Sequence, residues 1–171
     1  SFAKAKELDV DGDFTGEMSM YLLNLTNIFY QKGSDGFTDS DFESALINFK
    51  QAFDIAQLEG KFDTIAAFNI GMSAIYSDDP TVAIEYLQKC VDVKFMDPRV
   101  YLFYSRAEKQ LGDTTRAFEV LTLGREYFPN ESSLQLEEAQ LYLETGENDK
   151  LVNSLKESIA ADPSNANLYR V

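Results

Sequence analysis

Between Thr81 and Val93 the side chains of Ala83, Leu87, Cys90 and Val91 fall at i, i+4, i+7 and i+8, one apolar stripe along an α-helix. The stripe returns at a fixed step of 34. Ala83, Ala117 and Leu151 share that step, as do Leu87, Leu121 and Leu155, and the smaller set Cys90, Gly124 and Ser158. Gly71, Ser105 and Ala139 keep it as well, and so do Pro129 and Pro163. Asp78, Gly112 and Gly146 keep it too, each followed by an acid, Asp79, Asp113 or Glu147. These last pairs sit in the breaks Ser77-Asp78-Asp79-Pro80, Leu111-Gly112-Asp113 and Thr145-Gly146-Glu147. A glycine there supplies the left-handed residue that ends one helix, and the acid accepts N–H bonds at the start of the next. Each unit is therefore predicted to be a helix, a tight turn and a second helix. No stretch alternates with period two between hairpin turns, so the chain is expected to be all-α.

The small columns have a packing purpose. Two antiparallel helices approach closely only where side chains are small, and Gly71, Ser105 and Ala139 on the first helices meet Ala83 and Ala117 on the second. Such a unit cannot bury its own apolar face, so neighbours must stack to make a core. With these features the chain resembles the tetratricopeptide repeat (TPR) family. The matching residues are Phe68-Asn69-Ile70-Gly71 with Ala83, then Tyr101 with Leu111-Gly112-Asp113, Ala117 and Pro129, then Ala139 with Tyr142, Gly146 and Asp162-Pro163. Ala67 and Gln135 depart from it where the family favours an aromatic, and Glu138 where it favours leucine. The resemblance implies a right-handed α-solenoid of about four units with partial units at both ends.

The expected divisions are 1–14, the end of a preceding unit, then units at 15–63, 64–97, 98–131 and 132–165, and 166–171 as the start of another. Ala45, Phe49 and Ala52 mirror Ala83, Leu87 and Cys90, but at a step of 38. The extra length is about one helical turn and predicts a longer second helix reaching Leu58. Its partner is expected to carry Leu22, Leu25, Thr26 and Phe29 and to end near Gly33. A lengthened connection, 34–40, would follow. With Phe2–Asp9 read as the end of a second helix and Pro163–Tyr169 as the start of a first, the chain is expected to be a segment of a longer repeat protein.

In such a stack the first helices line the concave face. The resemblance implies that the second, fifth, ninth, twelfth and thirteenth positions of each unit point into that groove. The first unit then offers Met20, Leu23, Asn27, Tyr30 and Gln31, and the second Ile65, Phe68, Met72, Ile75 and Tyr76. The third offers Arg99, Leu102, Arg106, Lys109 and Gln110, and the fourth Ser133, Leu136, Gln140, Leu143 and Glu144. The partner-binding candidates are Leu23, Asn27, Tyr30, Ile65, Phe68, Met72, Tyr76, Arg99, Leu102, Arg106 and Lys109. The groove's middle is apolar, and Arg99, Arg106 and Lys109 form a basic stripe at i, i+7 and i+10. The stripe reads either as a site for an acidic end or carboxylate or as cations paired with neighbouring acids. Likewise the apolar residues either meet a partner or pack on more of the parent chain. Some TPR modules hold chaperone tails in a carboxylate clamp. Asn27, Asn69 and Arg99 suit it, but Leu23 and Phe103 stand where basic residues are expected, so that function is not carried over.

Composition narrows the chemistry. The 171 residues include 15 Lys+Arg against 29 Asp+Glu, a net charge of −14, with no His and one Cys. That charge argues against a phosphate backbone or an anionic membrane surface as partner. Without His there is no imidazole base, His-paired nucleophile or His metal ligand. One Cys forbids an internal disulfide and a Cys-rich zinc site, and Cys90 lies in the close-packing column as a small buried hydrophobe. No phosphate-cradling glycine motif occurs. Asp9, Asp11, Asp13 and Glu17 are spaced like the start of a calcium loop, but Phe14 and Met20 occupy the positions that need Gly and Glu. That stretch reads first as a solvated connection with capping acids, and only second as a metal site. The sequence thus points to a non-enzymatic scaffold, without cofactor, for a protein or peptide. The alternative is a structural spacer whose groove is filled in cis or by a homodimer. No apolar run approaches the ~20 residues that span a bilayer. The chain is expected to be soluble, either cytoplasmic or, if its parent lost a leader, periplasmic or exported.

Overall fold

The computed structural model describes residues 13–161. They form eight helices, and there is no strand among the described residues. The chain divides into two compact units, residues 1–90 and 91–171. The first holds α1 (Asp13–Thr38), α2 (Phe42–Leu58), α3 (Thr64–Tyr76) and nearly all of α4 (Pro80–Asp92). The second holds α5 (Pro98–Gln110), α6 (Thr114–Tyr127), α7 (Ser132–Thr145) and α8 (Asn148–Ala161).

Four helix pairs are joined by one kind of turn. Ser40, Asp78, Gly112 and Gly146 each have a left-handed backbone, with φ of 61°, 60°, 83° and 74°. Just after each, a main-chain N–H reaches back along the chain: Asp41 to the Gly36 carbonyl at 2.8 Å, Asp79 to Ala74 at 2.8 Å, Asp113 to Glu108 at 3.0 Å and Glu147 to Tyr142 at 2.9 Å. These bonds satisfy carbonyls that a helix end leaves open. The acid then turns its side chain onto the next helix. Asp41 accepts from Ser44 N, Asp79 from Val82 N and Asp113 from Arg116 N, at 3.0, 3.2 and 2.8 Å. Asp63 and Asp97 cap α3 and α5 in the same manner.

This regularity corrects the reading of the first unit. Its first helix does not end near Gly33 but runs to Thr38, so no long connection exists. Thr38 precedes Tyr76, the end of α3, by a step of 38, and Ser40 precedes Asp78 by the same step. The whole insertion lies in α2, which is 17 residues long where α4 has 13. Past it, Gly60 and Lys94, again 34 apart, share a left-handed backbone. The added turn is held by burial of Ile55 and Ala56. The helix starts at Asp13, two residues ahead of the expected unit boundary at 15. The expected partial units at both ends lie mostly outside the described residues.

The cores follow the small-residue columns. Ala45, Ala83 and Ala117 have no exposed surface. A Cβ on Gly71 would lie 2.5 Å from Leu87 Cγ, and one on Gly33 would lie 2.7 Å from the Phe49 ring. These are the same contact in successive units, and both need a bare backbone.

Candidate functional site

In the first unit the corrected register changes which side chains share a face. Asn27, Tyr30, Ser34, Phe37 and Thr38 of α1 are the equivalents of Ile65, Phe68, Met72, Ile75 and Tyr76 of α3. Asn27 and Tyr30 therefore keep a place among the candidate positions. Met20, Leu23 and Gln31 do not, and exposed Leu23 lies on the part of α1 ahead of the repeat. Ser34, Phe37 and Thr38 are the positions the sequence reading missed. The step from Gly71 back to Gly33 was the signal for them.

Two candidates here serve the fold. Phe68 is 3% exposed and belongs to the core. Tyr30 is half-buried, meets Phe49 edge-on, and donates its hydroxyl to Asp63 Oδ1 at 2.7 Å. Asp63 also caps α3 through Ala66 N, so the phenol ties α1 to the start of α3. Burial, with the Asp63 carboxylate beside it, holds this phenol far above its ordinary pKa. Asn27, Ile65 and Tyr76 are exposed and Met72 is half-buried. Tyr76 stacks on Phe42 with ring centroids 4.9 Å apart, and Phe37 meets both rings edge-on. The result is a fixed aromatic cluster with an open side at Tyr76.

In the second compact unit, residues 91–171, the basic stripe of the third repeat is answered by acids. Arg99 forks onto both oxygens of Asp97, Nη2 to Oδ2 at 2.6 Å and Nε to Oδ1 at 3.0 Å. These bonds hold Asp97 below the usual carboxylate range. Arg106 donates from Nε and Nη2 to Glu137 Oε2 at 2.8 and 2.7 Å. Lys109 lies 3.8 Å from Glu137 and 3.3 Å from Glu144, which also accepts from Gln140. Glu137 is 6% exposed. Arg106 and Lys109 thus bracket a carboxylate the protein itself supplies, the second of the two readings of the stripe. Leu102 is buried.

The departures from the repeat pattern have partners too. Buried Gln135 donates to the Pro129 carbonyl at 2.9 Å. Buried Glu138 pairs with Arg125 and accepts from Ser154 Oγ at 2.8 Å. Cys90 has no exposed surface, and burial pushes its thiol up to about 12, so it is no nucleophile at neutral pH. Asp9 and Asp11 lie outside the described residues. Asp13 opens α1 and Glu17 lies along it, so that half of the supposed loop is helix. Among the described residues no group of three or more acids or cysteines is placed to hold a metal.

Paired helices joined by one repeated turn, with small residues at each crossing, define a helical-repeat protein. Residues 66–95 match the tetratricopeptide repeat family model. The fold matches solved TPR proteins. MamA superposes with a TM-score of 0.69 at 19% identity, covering 85% of this chain and 77% of MamA. TTC0263 of Thermus thermophilus gives 0.62 at 20%, covering 81% and 75%. YrrB, described as a TPR protein with an unusual peptide-binding site, gives 0.69 at 15%, covering 99% and 96%. By sequence alone no curated protein matches significantly. The all-α, TPR-type fold expected from the 34-residue period is therefore what the chain adopts. Among the described residues no helix is long and apolar enough to cross a membrane.

Proposed function

We propose that this chain is a non-enzymatic scaffold that binds a peptide or protein segment on the faces of its first helices. The observation that carries the reading is the open side of α3, where Ile65 and Tyr76 are half exposed on either side of Met72. An aromatic, an aliphatic and an adaptable thioether on one rigid helix make a hot-spot surface for an apolar anchor. In the second unit Arg106, Lys109, Gln140 and Glu144 supply hydrogen bonds rather than net charge, which suits a polar segment of mixed sign. Likeness to TPR proteins, one described as peptide-binding, supports the same reading. To test it, a random peptide library is selected on the immobilised protein. Enriched peptides should bind the Ile65→Ala/Tyr76→Ala variant roughly tenfold more weakly, about 1.4 kcal/mol. Equal binding by a folded variant would sink the assignment.

A second reading, a spacer whose apolar face is covered in cis or by another copy, rests on Met20, Tyr21 and Leu23. All three are at least 60% exposed on the leading part of α1. Sedimentation equilibrium separates the two: a dimer that Tyr21→Ser dissociates favours the spacer.

A further inference from the structure

The second unit carries a groove on its second helices, lined by none of the candidates above. It is an open groove of about 530 Å³ between α6 and the start of α8. Phe118 and Leu123 of α6 and Tyr142 of α7 line it, with the Phe118 and Tyr142 ring centroids 4.7 Å apart. Three carboxylates line it as well, Glu119, Glu126 and Glu147, against one ammonium, Lys150. Glu119 pairs with Arg116 and Glu147 with Lys150, whereas Glu126 pairs with no cation among the described residues.

The chain itself displays the chemistry this groove accepts. Lys150 Nζ stands 5.8 Å from the centroid of the Tyr142 ring while bonded to Glu147. An ammonium held by a ring face and a carboxylate is a cation–π site with a counter-ion. Phe118 lies against Tyr142 and extends the ring surface, and Glu126, about two helical turns further along α6, offers a second carboxylate. The lining along α6 runs from Thr115 to Glu126, about 16 Å of helix. That is about five residues of extended chain.

We propose that the α6–α8 groove binds a short extended protein segment carrying lysine or arginine. Stems of such side chains cover the rings while their cations meet Glu126 and the carboxylate rim, and Lys150 is the internal competitor for one of the two places.

The test uses fluorescence anisotropy with a labelled Gly-Lys-Leu-Lys-Gly peptide and its glutamate counterpart at about 0.15 M salt, where long-range attraction is screened. The lysine peptide should bind saturably and the glutamate peptide should not. Phe118→Leu/Glu126→Gln, which keeps an apolar side chain of similar size, should raise Kd by roughly tenfold. Lys150→Ala should lower Kd severalfold, while Lys50→Ala, the same change of charge on α2, should leave it unchanged. Ile65→Ala/Tyr76→Ala should have no effect. No binding, an unchanged Kd in the folded double variant, or equal effects of the two lysine substitutions would overturn the proposal. The last result would reduce it to attraction by net charge.

Discussion

Ser73 sits on α3 with no exposed surface, and its hydroxyl has no hydrogen-bond partner among the described residues. A buried hydroxyl without a partner forfeits its hydration for nothing. Ser73→Ala should therefore stabilise the protein by about 1 kcal/mol, seen as a higher urea midpoint at unchanged slope; a lower midpoint would mean the hydroxyl is satisfied. Cys90 makes a prediction with a sign. Burial raises its folded pKa to about 12, so the folded state holds a proton that the unfolded chain releases earlier. Stability is whole below about 8.5, the ordinary thiol range, and declines as pH rises towards 12. Cys90→Ala should flatten that alkaline decline, measured by urea unfolding across the window. Burial of Cys90 was legible from its column. The partners of Gln135 and Glu138 were not, because the Pro129 carbonyl, Arg125 and Ser154 come from other segments, and no local pattern announces a contact across helices.

At the scale of elements, the four equivalent turns are solved with different residues. Two carry glycine, while Ser40 and Asp78 adopt the same left-handed backbone at the steric cost a side chain brings there. Asp78→Gly should add roughly 1 kcal/mol of stability, read as a rise in thermal midpoint; the same change at exposed Asp54, inside α2, should lower it. The period, the turns and the close crossings could be read from the sequence because each is set by residues near in the chain. Gly33, which reads as a helix end in the sequence, is instead a close crossing within α1. A glycine at a crossing and a glycine at a terminus look alike until Phe49 is seen lying against it. The step of 38 from Gly71 back to Gly33 marks the latter as a crossing.

For the molecule as a whole, the charge of −14 has a local logic. Asp41, Asp63, Asp79, Asp97 and Asp113 cap five helices, while Glu137 and Glu138 are buried against cations. The acids still repel at long range. Because exposed ion pairs contribute little, screening that repulsion should dominate, and the thermal midpoint should rise by a few degrees between about 0.02 and 0.2 M sodium chloride. A fall would mean that the pairs, not the excess charge, govern stability. Which face meets a partner could not be read from the sequence. The bare cations it offered on α5 are already occupied by acids, and the α6–α8 groove draws on three helices whose shared edge appears only once they are folded.

The added turn in α2 also bears on how such a chain tolerates change in length. Its insertion rotates the helix by about 400°, a full circle plus some 40°, so the apolar stripe beyond it still faces its partner. An insertion half as long would carry the stripe about 200° round and expose the core side. Length in this architecture is thus quantised by the helical turn, and the one departure from the 34-residue repeat in the described chain is a single such quantum.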